Sequence, residues 1–216
     1  MRLIWITALC VCAYGQGTPG KEAPANESKG MPPRVSPSEY QAHAEAGSVT
    51  IAAEFTGHAI GTAQGTLTTE DYVAVETGFF GPEGTRTKLA ADDFSLRING
   101  KKVALPSQPY GMVLPSLKDP EWEPPADTKS KGKTSMGGGG GGGGKDDPPP
   151  TPPKMPFPER RAMEQRVQKA ALPEGDRALP VAGLIFFQYR GKAKDIHSME
   201  LIYAGPAGKA TLKLTP

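Results

Sequence analysis

The segment GLIFFQYRG sets the hardest condition on the fold, because Leu184, Ile185, Phe186 and Phe187 are consecutive and give any strand they form two apolar faces. Such a strand belongs in the middle of a sheet, covered on both sides. From Glu159 to Pro216 the chain offers one helix and three strands, too little to provide that cover. The rest must come from upstream, across the eight consecutive glycines Gly137–Gly144 and their flanks KSKGKTSM and KDDPPPTPPKMPFP. One interrupted domain is therefore expected, not two small ones.

The upstream pattern supplies partners. In SVTIAAEFT, Val49, Ile51, Ala53 and Phe55 alternate with polar residues, and DYVAVETGFF repeats the pattern with Val73, Val75, Thr77 and Phe79. Gly81-Pro82-Glu83-Gly84 reads as a turn, and FSLRI points Phe94, Leu96 and Ile98 to one side. Asn99-Gly100 follows at once, and a type I′ turn there returns KKVAL antiparallel to FSLRI. The stretch LPSQPYGMVLPSLKDPEWEPP carries too many prolines for a central strand and is expected at an edge or on the surface. Downstream, Met163, Val167 and Ala170 recur at helical spacing until Pro173. The strands SMELIYAG and KATLKL then close a hairpin about Gly205-Pro206-Ala207-Gly208. Seven or eight strands result, a mainly β fold of sandwich type.

Residues 1–15 have Arg2, an apolar run from Leu3 to Ala13, and small residues at Ala13 and Gly15, the layout of a cleaved secretory signal. The run is too short for a permanent span, so no stable membrane span is expected once the signal is removed. Cys10 and Cys12, the only cysteines, lie inside it, which leaves the mature chain without thiol or disulfide chemistry. Residues 16–35 read as a disordered spacer. Within it Asn26-Glu27-Ser28 matches a glycosylation acceptor that matters only in a eukaryotic secretory route. Ser36, Pro37 and Glu39 form a helix-start signature, so a short helix is expected over 36–47. Residues 48–125 and 159–216 are the two parts of the sandwich, and 126–158 is a disordered, low-complexity insertion. A flexible segment of that length spans about 30 Å, enough to cross the domain, and closing the loop costs only about 0.6 kcal/mol per doubling of length.

The succession YVAVE, DDFSLRINGKK, LPVAGLIFFQYRG and MELIYAG resembles the immunoglobulin-like accessory domains of exported bacterial proteins. Leu179-Pro180-Val181-Ala182-Gly183-Leu184-Ile185-Phe186-Phe187 carries the likeness most clearly. It implies a single immunoglobulin-like β-sandwich over residues 48–105 and 179–214, with the insertion and the short helix as departures.

Little in the sequence points to catalysis. Gly139, Gly144 and Lys145 imitate a P-loop, but Asp146 replaces the hydroxyl that meets Mg²⁺, and no strand and helix flank the motif. His43, His58 and His197 are too far apart for a zinc motif, and no GxSxG elbow is present. Asp92-Asp93 reads as a turn before a strand, with cation binding as the alternative. Net charge is +2 with basic and acidic residues interleaved, which argues against nucleic acid. Arg160, Arg161 and Arg166 mark the helix as a solvated face, or else a docking one. Trp122, between two acids and among prolines, is the one candidate contact residue: either an aromatic platform for a ligand or partner, or a cover for the sheet edge. The expectation is an extracytoplasmic, periplasmic or secreted, non-enzymatic accessory or binding module without cofactor, whose partner is an unknown protein or a component of the envelope. A structural or assembly component of the envelope, and a hydrolase with a loop-borne site, are the alternatives.

Overall fold

The computed structural model describes residues 30–123 and 155–216. The expected signal segment, the polyglycine tract and most of the insertion lie outside these residues. Eight strands form one sheet in the order β1 (Ala42–Ala46), β2 (Val49–Gly57), β5 (Tyr72–Phe80), β11 (Val181–Gln188), β8 (Leu105–Gln108), β7 (Phe94–Ile98), β12 (Met199–Gly205) and β13 (Gly208–Leu214). Every neighbouring pair is antiparallel. The sheet nearly closes on itself. β13 returns beside β1, where the Gln41 side-chain amide donates to Thr215 O at 2.8 Å and Gly47 fits against the Ala207 carbonyl.

β11 is central, as its two apolar faces require, and every residue from Val181 to Phe187 is buried. Val181, Ile185 and Phe187 enter the main core with Ile51, Val75 and Leu96, while Leu184 and Phe186 point to the other side. In the main core Phe79 meets Phe94 and Tyr203 edge-on, with ring centroids 5.9 and 5.8 Å apart. The second layer is α2 (Phe157–Ala170), whose Met163, Val167 and Ala170 are buried as their spacing predicts. Burying Leu184 and Phe186 beneath it stabilises the fold by about 1.5–3 kcal/mol each. β5 divides its side chains the same way, with Val73 and Val75 to the main core and Tyr72 and Ala74 to the second.

Several expectations are corrected. Residues 36–47 do not form a helix: Pro37–Glu39 make one 3-10 turn, and Ala42–Ala46 pair with β2 as a strand. The alternation of Ala42, Ala44 and Ala46 with His43 and Glu45 wins, because the alanines pack on the core. The spacer expected through Val35 is already held from Gly30, since Met31 N donates to Ala182 O at 2.8 Å. Asn99 and Gly100 make the expected turn, with φ of 52° and 64°. Pairing with β7 nevertheless resumes only at Leu105, opposite Leu96, so Lys101–Ala104 form a loop and Val103 is exposed. Proline-bearing β8 is not at an edge. It joins the two halves of the sheet, pairing through only two residues on each side.

Two small sheets complete the described residues. β3 (Ala59–Thr62), β4 (Gly65–Thr69) and β9 (Leu117–Lys118) form one, and β6 (Arg86–Leu89) pairs with β10 (Gly175–Ala178) in the other. Besides α2, the α-helical part of these residues is the single turn α1 (Tyr110–Val113). No helix among them is long and apolar enough to cross a membrane. Trp122, before the insertion, and Met155, near its end, line the same groove.

Candidate functional site

The second edge of β11 is finished by three separate pieces of chain. β8 pairs with Phe186 and Phe187, Leu172 N donates to Leu184 O at 2.9 Å, and Met31 N reaches Ala182 O. β8 cannot cover the whole edge because Pro106 and Pro109 lack N–H donors and Pro109 leads into α1. Where β8 turns away and the residues after α2 arrive, a cleft of about 310 Å³ remains. Its volume lies at the lower end of small-molecule pockets.

Leu172, Leu184 and Phe186 supply apolar walls, and Gln108, Glu174 and Arg177 bring polar groups to the cleft. Their positions are fixed from the backbone. Ala91 N donates to the Glu174 carboxylate at 3.3 Å, and Arg177 Nε donates to Glu174 O at 2.9 Å. Leu172 can come so close because Gly183 has no side chain: a Cβ there would lie 2.4 Å from Leu172 Cα. The arrangement offers an apolar slot with a carboxylate, a guanidinium and an amide, suited to holding a small amphipathic molecule.

None of the polar residues of the cleft stood out in the sequence. Glu174 and Arg177 sit in LPEGDRALP, which shows neither periodicity, and Gln108 sits between prolines. The one available signal was Gly183, a glycine inside an otherwise apolar strand, which marks a close approach.

Trp122 lies elsewhere, toward the N-terminal half of α2. It is half-buried in a groove of about 350 Å³ with Met155 and Met163, while its acidic neighbours Glu121 and Glu123 are exposed. Arg166 closes that region rather than facing solvent. It donates to Asp119 at 3.0 Å, to Gln64 O at 2.9 Å and to the Thr62 hydroxyl at 3.2 Å, stapling α2 to the β3–β4 hairpin. Arg160 and Arg161 are exposed.

The three histidines do not meet. His43 is exposed on β1, on the face opposite the alanines, and His197 is exposed before β12. The ring of His58 lies between two carbonyls, 2.7 Å from Tyr72 O and 2.9 Å from Gly191 O, and stacks on Tyr189. Asp92 and Asp93 form a 3-10 turn before β7, and burial, then the charge of Asp92, pushes the Asp93 carboxyl above its usual value. No three His, Cys, Asp or Glu side chains converge as a metal site among the described residues.

One further charged cluster is structural. Glu54 and Glu76 face each other across β2 and β5, and Arg34 bridges them at 2.6 and 3.1 Å while lying over the Tyr40 ring. The hydrogen bond from Arg34 to Glu54 holds the guanidinium above its ordinary value against the opposing effect of burial. This clamp fastens residues 31–40 to the sheet. No protein-family model, curated protein or solved structure matches the chain.

Proposed function

We propose that this protein is an exported, non-enzymatic binding module of the cell envelope or extracellular space that holds a small amphipathic ligand at the β8–β11 seam. The observation that carries the reading is the seam cleft, apolar-walled and flanked by Gln108, Glu174 and Arg177. The signal-like first fifteen residues support export, and the absence of cysteine beyond Cys12 suits a mature chain held by packing alone. The immunoglobulin-like reading of the fold belongs to the same proposal. All-antiparallel pairing about one main core supports it, whereas the bridging strand β8 and the approach of β13 to β1 depart from two separate sheets.

The test is isolation of the full chain from its native envelope fraction, followed by identification of what accompanies it. A small molecule that raises the melting temperature of the purified protein, and fails to do so in a Gln108→Trp/Arg177→Gln variant that still folds, supports the seam as its site. Envelope proteins retained equally by wild type and variant point instead to an assembly component. Turnover of an envelope polymer, lost on changing one polar cluster, would establish a hydrolase and overturn the proposal.

A further inference from the structure

The far end of the nearly closed sheet carries a second surface, independent of the seam. Two loops meet there, one after β7 and one after β11. Asn99 ties them together: its side-chain amide donates to Asp195 O at 2.8 Å, and its carbonyl oxygen accepts from His197 N at 2.7 Å and Ser198 N at 3.2 Å. His58 fixes the second loop again through Gly191 O. Lys101, Lys102, Lys192 and Lys194 are exposed on these loops and form no ion pair among the described residues. Arg190 joins them, although it pairs with Asp71 at 3.0 Å; Asp195 lies on the same lip, and Glu70, next to Asp71, pairs with Lys118. For a chain whose net charge is only +2, this is a concentration of positive charge.

The same lip bears an aliphatic group where a purely electrostatic surface has no use for one. Val103 is 79% exposed, next to Lys101 and Lys102, over a cleft of about 340 Å³ walled in part by Ile98, Leu105 and Tyr189. We propose that this lip docks the protein on an anionic lipid surface, with the lysines on the headgroups and Val103 at the boundary of the acyl region. Basic residues near an anionic bilayer and a shallowly inserted apolar side chain act together in interfacial attachment. A soluble polyanion would satisfy the lysines and leave Val103 in water. Attachment of this kind needs no spanning segment.

The experiment is co-sedimentation of the full chain with vesicles of mixed phosphatidylglycerol and phosphatidylcholine, and with phosphatidylcholine alone. Binding is expected on the mixed vesicles only, and it weakens as salt is raised. Each lysine contributes about fivefold, so Lys101→Gln/Lys102→Gln lowers affinity about 25-fold. Val103→Ser weakens vesicle binding without changing any binding to soluble polyphosphate. A control pair at the opposite end, Lys88→Gln/Lys209→Gln, removes the same charge and leaves affinity within about twofold. Thermal melts establish that each variant is folded. Equal binding to both vesicles, an equal loss in the control pair, or indifference to Val103→Ser together with polyphosphate binding as tight as vesicle binding overturns the proposal.

Discussion

Replacing Gly183 by alanine tests whether the seam is built as described. A Cβ at this position would lie 2.4 Å from Leu172 Cα, 2.6 Å from Leu172 N and 2.8 Å from the Ala171 carbonyl carbon. All three are backbone atoms, so no rotamer relieves the clash. The segment after α2 must retreat by about 1 Å to reach ordinary contact, which overpacks the seam at a cost of about 1–3 kcal/mol. The same retreat breaks the hydrogen bond from Leu172 N to Leu184 O, now 2.9 Å, and that removes about 1 kcal/mol more. Gly183 has no positive φ. Its backbone would accept alanine, and chain entropy alone would make the variant more stable by about 0.4–1 kcal/mol. Contact and entropy thus predict opposite signs. We expect a net loss of about 2–3 kcal/mol in urea denaturation and a fall in melting temperature of about 5–12 °C. A Gly183→Ala variant as stable as wild type, with an unchanged m-value, would refute the close approach of Leu172 to β11.

Three other perturbations address separate parts of the molecule. Arg34→Met leaves Glu54 and Glu76 facing each other and is expected to cost about 2–3 kcal/mol, partly recovered when Glu76→Gln is added; denaturation of the single and double variants measures both. Asn99→Ala removes a residue that tolerates φ of 52° and the acceptor for two amides, so hydrogen exchange should show His197 and Ser198 losing protection while β5 keeps its own. The raised Asp93 carboxyl binds its proton more tightly in the folded state, so its contribution favours folding below the unfolded value and is lost as pH rises through the folded one. Asp93→Asn should therefore raise the melting temperature at neutral pH and have no such effect below the usual carboxylate range; an equal gain at both pH values would contradict the burial account.

The sequence was legible wherever one residue set had a single period. The alternation in Val73–Phe79, the apolar block Leu184–Phe187 and the stripe Met163, Val167, Ala170 each dictated an element and its buried face, and all three stand in the structure. It misled where two local signals competed. Ser36-Pro37-Ser38-Glu39 is a sound helix start, yet the alternating alanines that follow gain more by pairing with β2 than a short isolated helix gains by continuing. The Asn99-Gly100 turn formed, but its strand pairing was displaced because the Asn99 side chain holds the neighbouring loop instead. Ala59–Thr69 contains few apolar residues beyond Ile60 and Leu67, so the β3–β4 hairpin carried little pattern to read.

The seam was beyond local reading for a different reason: it is a consequence of what β8 lacks. Pro106 and Pro109 shorten the one strand that could have run along β11, and the edge is completed by Leu172 and Met31, residues far from β8 and from each other in sequence. The cleft is the space between these unrelated contributions. Its walls consequently belong to both sides of the insertion, Gln108 before it and Leu172, Glu174 and Arg177 after it. A ligand held there would bind only when the two parts of the chain are docked, and would stabilise that docking by RT ln(1 + [L]/Kd), about 2.7 kcal/mol at a hundredfold excess over Kd. Binding at the seam therefore stabilises the interrupted domain, and a Gly183→Ala variant, in which Leu172 must retreat from the cleft it lines, should bind the ligand more weakly even though Gly183 does not line the cleft.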